Sequence, residues 1–330
     1  MGAVVKWNGK TIDKDGVYDA LPMERYHGDI CVGPSISSSG LRTIFLESPA
    51  HYYVDSYLNQ DRIGQKDTEA FVLGRAAHHL LLSQDAFSTL FIMRPEELGG
   101  AAWQGNRKEC KAWLKEQAAQ GRTVLTPKQI EQIRGMARSL AQSPLVRAGI
   151  LNGKIEQSLI YQDKKTGGWI KARPDAIPND SGDFADLKTT VQVGFDLDRD
   201  ISKFRYDMQA ALTKWAAKAV LGLEMESFSF VFVEKEPPHC VDVLTLQPAD
   251  IIEAEKDLRS ALDTFAWCIK TGNWFGPSGT QSDARFVHIS EWAHKSAEFR
   301  RDFLKREIEQ AEAATAEQTG ADQPPKEQKS

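Results

Sequence analysis

The chain has 330 residues, 26% of them charged and 41% hydrophobic, an ordinary composition for a water-soluble protein with one large domain and additions, or two small ones. No stretch approaches the ~20 apolar residues of a membrane span, and the opening Met1–Trp7 lacks the basic-then-apolar layout of a signal peptide, so no membrane association and a cytoplasmic location are expected. A formal net charge of −5 argues against a protein that coats nucleic acid nonspecifically, although a groove can still be locally basic.

In chain order, residues 1–34 read as an irregular segment with a hairpin around Asn8-Gly9. Ser37-Ser38-Ser39 then precedes a helical pattern carrying Leu41, Ile44 and Phe45 and stopping before Pro49, and a second helix starts after Ala50. A third helix is predicted from Thr68 to Ser83, with Phe71, Val72, Ala76 and Leu80 on its buried side. Residues 84–150 read as a mostly helical insertion, with helices over 106–119 and from Thr126-Pro127 to Leu140.

The pattern then switches to strands at 155–161, 169–177 and 184–190. A helix from Phe204 to Leu221 stops at Gly222, and strands follow at 228–233 and 241–246. Asp250, with Glu253 three residues on, resembles the capping box of a long helix that Gly272 ends. A last helix starts at Ser290, and the polar stretch 309–330 reads as a disordered tail. The fold class is therefore α/β, a mixed sheet flanked by helices, within one domain over 35–308 whose core is about 68–83 and 155–246.

Chemistry concentrates in Lys171-Ala172-Arg173-Pro174-Asp175 and Asp186-Leu187-Lys188. Asp186 and Lys188 are two apart, so on a strand they share a face. The turn formers between Asp175 and Asp186 allow a hairpin to bring both carboxylates to that lysine. Two hard oxygen ligands beside an ammonium suit a Mg²⁺ ion and the hydrolysis of a phosphodiester. His78, one turn beyond Gly74, is the candidate imidazole, preferred to His79, which points about 100° away. Glu156 is a candidate third carboxylate, and Gln209, in Tyr206-Asp207-Met208-Gln209, can donate to a phosphate or a bound water. Lys164, Lys165, Lys171, Arg173, Lys203 and Arg205 are candidate groove cations, each more readily read as a solvated surface charge. The four cysteines, Cys31, Cys110, Cys240 and Cys268, show no CxxC spacing, and there is no Gly-x-x-x-x-Gly-Lys-Ser/Thr nucleotide loop.

Taken in order, Gly74-x-Ala76-x-His78, Glu156, Arg173-Pro174-Asp175, Asp186-Leu187-Lys188 and Tyr206-x-x-Gln209 resemble the PD-(D/E)xK nuclease superfamily. Within it the resemblance is to RecB-like domains, above all the RecE (exonuclease VIII) type encoded by prophages, whose opening motif Ile36–Leu41 and Glu47–Tyr52 resemble. That resemblance implies a Mg²⁺-dependent, ATP-independent exonuclease, with Mn²⁺ able to substitute, that degrades one strand of linear double-stranded DNA from its 5′ end and leaves 3′ overhangs for recombination. It implies a ring-shaped homo-oligomer and a RecT-like single-strand annealing partner. It assigns His78, Asp175, Asp186 and the Leu187 carbonyl as metal ligands, Lys188 as the catalytic lysine and Gln209 as the motif glutamine. DNA contacts are expected at Arg173, Lys171, Ser37, Arg42 and Tyr206, and Ser37, Ser39 and Arg42 are candidates for a 5′-phosphate pocket, although Ser37 to Ser39 read more readily as no more than a helix cap. Two departures stand out. Thr213 occupies the place of a family tyrosine, and Ser48 replaces the cysteine that iron–sulfur relatives use, so no cluster is expected. A noncatalytic DNA-end-binding scaffold and an endonuclease on the same fold are the competing readings.

Overall fold

In the computed structural model, residues 4–63, 68–82, 84–155, 157–179, 181–279, 283–284 and 286–320 are described, with backbone alone for 70–71, 84–86 and 314–320. By packing they form two units, Met1–Gly279 and Thr280–Ser330.

β1 (Val4–Lys6) pairs in parallel with β2 (Gly16–Asp19), so the hairpin expected around Asn8-Gly9 does not form. The buried pair Val17-Tyr18 supplies the partner strand, and Ile12 bridges Cys31 instead. After the single turn α1 (Met23–Tyr26), β3 (Ser35–Ser37) runs directly into α2 (Ser38–Leu46), which buries Leu41 and Ile44. α3 (Pro49–Asp55) begins at its proline, with the Ser48 hydroxyl accepting from the His51 N–H. α4 (Glu69–Leu82) buries Leu73, Ala76 and Ala77 and crosses the sheet so closely that a Cβ on Gly74 would touch Thr189 Oγ1 at 3.5 Å. Phe71, expected on its buried side, lies outside the described side chains.

The insertion is mainly helical, as expected, with four short strands among the helices. It comprises α5 (Gln84–Leu90), β4 (Phe91–Met93), β5 (Glu97–Leu98), β6 (Ala101–Ala102), α6 (Lys108–Ala119), β7 (Thr123–Leu125), α7 (Pro127–Gln142) and α8 (Pro144–Arg147). β4 pairs with β7 in parallel and β5 with β6 as a small hairpin, since Phe91-Ile92-Met93 and Thr123-Val124-Leu125 are short β-prone apolar triplets. A full capping box, Thr126 with Gln129, opens α7.

The two strands expected at 155–161 and 169–177 each divide. β8 (Lys154–Ile155) and β9 (Ser158–Gln162) form one arm, β10 (Trp169–Ala172) and β11 (Ala176–Ile177) the other. Their antiparallel register is the same on both sides of the break: Ala172 faces Leu159, and Ala176 faces Ile155. This is one long hairpin whose ends belong to different sheets. Pro174, which has no N–H to give a ladder, sits in the interruption. The first sheet has the order β1-β2-β9-β10-β3.

The second sheet adds β12 (Asp183–Thr190), β13 (Ser227–Glu234) and β14 (Val241–Thr245), giving the order β14-β13-β12-β11-β8, with β12 and β13 parallel. Its centre is buried on both faces. Phe184, Phe228, Phe230 and Phe232 pack with the helices that follow β12 and β14, while Leu187, Val231 and Val233 pack with Leu73, Ala76, Ile133 and Met136 of α4 and α7.

The helix expected over 204–221 is split. α9 (Leu197–Phe204) ends at Arg205, which adopts a left-handed conformation (φ 49°), and α10 (Tyr206–Ala216) then widens into a π-helical turn, Ala217–Leu221, stopped by Gly222 at φ 65°. α11 (Pro248–Thr271) starts two residues before Asp250: Gln247 is its N-cap and Pro248 its first residue, so the capping box expected of Asp250 and Glu253 is not formed.

In the second unit, α12 (Glu291–Gly320) runs well beyond Ile308, where a disordered tail was expected to begin. The Lys/Glu/Gln/Ala composition there favours helix even without an apolar stripe. The unit boundary at Gly279 falls inside the domain expected over 35–308. No helix among the described residues is long and apolar enough to cross a membrane.

Candidate active site

The break in the long hairpin places Asp175 beside β12. With Pro174 interrupting the ladder, its carboxylate takes the next backbone donor instead: Oδ2 accepts the Leu187 N–H at 2.6 Å. Oδ1 lies 3.4 Å from Nδ1 of His78, which α4 projects one turn after the close approach at Gly74. Asp186 and Lys188 share the opposite face of β12 from Leu187. Asp186 is 2% exposed, and the Lys188 ammonium rests on its Oδ2. Gln209, in the first turns of α10, ties the two together: its Nε2 donates to Asp186 Oδ1 at 2.7 Å and its Oε1 accepts from Lys188 Nζ at 3.1 Å. The Tyr206 ring lies 4.9 Å from Nζ.

Burial works to lower the basicity of His78, but the facing Asp175 carboxylate outweighs it and the imidazole is shifted upward. Burial pushes Asp175 the other way, and His78, Lys188 and the Leu187 N–H together bring its carboxyl below the ordinary range. Asp186 is raised, by burial first and then by Asp175, in spite of Lys188. Lys188 is held up by both carboxylates against its own burial. Two buried carboxylates thus face one ammonium and one imidazole at close range.

These groups line a cavity of about 600 Å³, together with Arg173, Ser37, Arg42 and Tyr206. Arg42 sends Nη1 to the Phe204 carbonyl at 2.8 Å, while its Nε and the Ser38 hydroxyl are buried with no hydrogen-bond partner among the described residues. Arg173 is braced by Ser158 and the Leu21 carbonyl at 2.9 and 2.7 Å.

Lys171 is not a groove cation. It is 2% exposed, and its ammonium donates to the Tyr26 and Gly28 carbonyls at 2.6 and 3.3 Å under two tyrosine rings, facing a neighbouring pocket rather than the Asp186 cavity. Lys165 pairs with Asp263 at 2.6 Å, and Arg205 with Asp207 and Asp257. Glu156 lies outside the described residues. Arg75, His27 and Thr213 also line the cavity, and of these only Thr213 is singled out in the sequence, through the family tyrosine it replaces. Arg75 had a signal in its place beside Gly74, whereas His27 reaches the site from a segment that reads as irregular.

The residues fit a hard divalent cation by kind, two carboxylates and an imidazole. Among the described residues, however, no three His, Cys, Asp or Glu side chains converge on one point, because the Lys188 ammonium stands on Asp186 and Asp175 is turned to His78.

Residues 37–283 match the family model described as a PDDEXK-like domain of unknown function (DUF3799). This chain belongs to that family. The motif carriers of this PDDEXK-like protein, Asp175, Asp186 and Lys188, sit within the matched span. A crystal structure from Eubacterium rectale bearing the name "putative exonuclease" superposes with a TM-score of 0.55 at 12% identity, over 82% of this chain and 97% of that one, which shows a shared fold. The Scheffersomyces stipitis Rai1 structure, at a TM-score of 0.24 and 12% identity over 78% of each chain, is too dissimilar to carry an argument. No curated protein matches the sequence. The PD-(D/E)xK superfamily assignment and the mixed α/β nuclease fold therefore stand. Nucleases of this superfamily generally use divalent metal ions.

Proposed function

We propose that this protein is a metal-dependent exodeoxyribonuclease acting on the ends of linear double-stranded DNA. The observation that carries the reading is the meeting of Asp175, Asp186, Lys188, His78 and Gln209 in one cavity, from four separate elements. His78, Asp175 and Asp186 would hold the metal, with the Leu187 carbonyl added by family resemblance. A bound divalent cation would neutralise phosphate charge and polarise the scissile phosphorus. Mg²⁺ is the proposed ion, with Mn²⁺ as a substitute and neither a nucleotide nor an iron–sulfur cluster required.

The protein's own groups define the rest. Lys188 supplies an ammonium beside the phosphate that can orient the attacking water and balance charge as the P–O3′ bond breaks. Gln209 fixes the position of that ammonium and of Asp186. His78 holds Asp175 in place from the side away from Leu187.

An end-directed mode is favoured by the part of the cavity lining that comes from the start of α2. There the first turn of α2 has no side-chain cap hydrogen bond, and the Ser38 hydroxyl and Arg42 Nε have no hydrogen-bond partner among the described residues. Those donors suit a terminal phosphate. Polarity from the 5′ end, a ring-shaped homo-oligomer, a RecT-like annealing partner and a cytoplasmic role in recombination extend the proposal on family resemblance alone.

The test is digestion of end-labelled linear duplex with and without Mg²⁺, on 5′-phosphate and 5′-hydroxyl ends, with a closed circle as control. Asp186→Ala and Lys188→Ala should each abolish hydrolysis while circular dichroism stays unchanged. Near-normal digestion by either variant refutes the assignment. Cleavage of the circle would convert it to an endonuclease, and end binding with no cleavage in any metal would leave a noncatalytic scaffold.

A further inference from the structure

The insertion over residues 84–150 carries ten Lys/Arg against six Asp/Glu, a surplus of +4 in a chain whose total is −5. Part of that surplus is arranged. Lys108, Lys111 and Lys115 are exposed on α6 at i, i+3 and i+7, which puts them within about 60° of one another around the helix. Glu109 and Glu116 lie on the neighbouring flank, and the buried Cys110 and Gln117 face inward. None of the three lysine side chains has an ion-pair or hydrogen-bond partner among the described residues. For the helix alone this is a poor arrangement. Like charges three and four apart repel, and Lys108 sits at the first helical position, where the helix dipole disfavours a cation.

The platform is rigid and rooted at the active site. Trp113 of α6 packs edge-on against Trp103, which carries Arg94 over its ring, and Arg107 donates to the Ala101 and Ala102 carbonyls at 3.3 and 3.1 Å, locking the β5–β6 hairpin to the start of α6. α6 leads into β7. Thr123 of β7 accepts from Arg75 Nη2 at 2.9 Å, and Phe91 of β4 packs on His79. Arg75 and His79 flank His78 on α4 and line the same cavity.

We propose that the lysine stripe of α6 holds the phosphate backbone of duplex DNA that extends beyond the active-site cavity. The inference rests on the nuclease reading and assigns the insertion a role in it. Seven residues of helix span about 10 Å, the axial length over which one DNA strand presents about three phosphates, so three lysines match three phosphates in register. Such contacts bind without reading sequence, as an enzyme that advances along DNA requires.

The test compares the full-length protein with Lys108→Gln/Lys111→Gln/Lys115→Gln, which changes exposed side chains only. Binding of a long linear duplex is followed by anisotropy in metal-free buffer across a salt series. Hydrolysis is followed on the same duplex and on bis(p-nitrophenyl) phosphate, which is too small to reach α6. Each lost phosphate contact should flatten the log–log salt slope by about 0.9, so the wild-type advantage should shrink about 40-fold between about 50 and about 200 mM salt. Turnover of the small diester should be unchanged. Equal affinities and slopes for the two proteins overturn the proposal even if both cleave DNA. A slope difference in a protein that hydrolyses nothing keeps the stripe and sinks the nuclease reading, so the two failures are distinguishable.

Discussion

Gly135 in the middle of α7 has a steric reason to be glycine. A Cβ there would overlap the ring of His239, which is 8% exposed and whose Nδ1 bonds the Glu234 carbonyl at 3.0 Å. Gly135→Ala must therefore expel the ring. Losing that buried hydrogen bond costs about 1–3 kcal/mol, and exposing the ring costs about 1 kcal/mol more. Alanine returns about 1 kcal/mol of helix propensity. The net expectation is a loss of about 2 kcal/mol, or about 3 °C in Tm for a unit of this size. In a His239→Ala background the clash is gone, and the same Gly135→Ala change should stabilise by about 1 kcal/mol. The sign reverses, with a coupling of about 3 kcal/mol, and a double-mutant cycle by urea denaturation and circular dichroism reads it. Stabilisation by Gly135→Ala in the wild-type background, or the same cost in both backgrounds, would refute the reasoning.

Two further outcomes are expected. Burial brings the Lys171 ammonium down to about 8, so between there and the ordinary lysine range the unfolded chain carries a proton that the folded one lacks. Stability should then rise with pH across that window by about 3 kcal/mol relative to Lys171→Met, a comparison that cancels the tyrosines, and a pH-independent difference would contradict it. Arg205, left-handed at φ 49° and paired with Asp207 and Asp257, should tolerate glycine better than alanine by about 1 kcal/mol, because only alanine keeps the backbone strain after the ion pairs are lost; equal Tm values for Arg205→Gly and Arg205→Ala would be evidence against that strain.

The grouping around Asp186 was legible because its information is local. Two-residue spacing put Asp186 and Lys188 on one face, four-residue spacing put His78 over Gly74, and short apolar runs marked the strands. What was not legible depends on distant partners. Trp169–Ile177 reads as one strand, since nothing in its alternation says that its halves join different sheets; only Pro174 hinted at a break. Lys171 reads as a surface cation because its acceptors, the carbonyls of Tyr26 and Gly28, come from a segment more than 140 residues away. Val4–Lys6 pairs with a strand beyond a loop rather than across the nearest turn. The N-cap of α11 lies three residues before the expected one, because a first-position proline outranks an acidic capping pattern.

The unchanged register across the hairpin's interruption has a bearing on how this region can vary. Arg173, Pro174 and Asp175 are suspended between two anchored ladders, so the length of this stretch is fixed. Adding or deleting a single residue would invert which way Ala176 and Ile177 point and swing the acid off its backbone donor. Natural or designed relatives should therefore neither gain nor lose a position between Ala172 and Ala176.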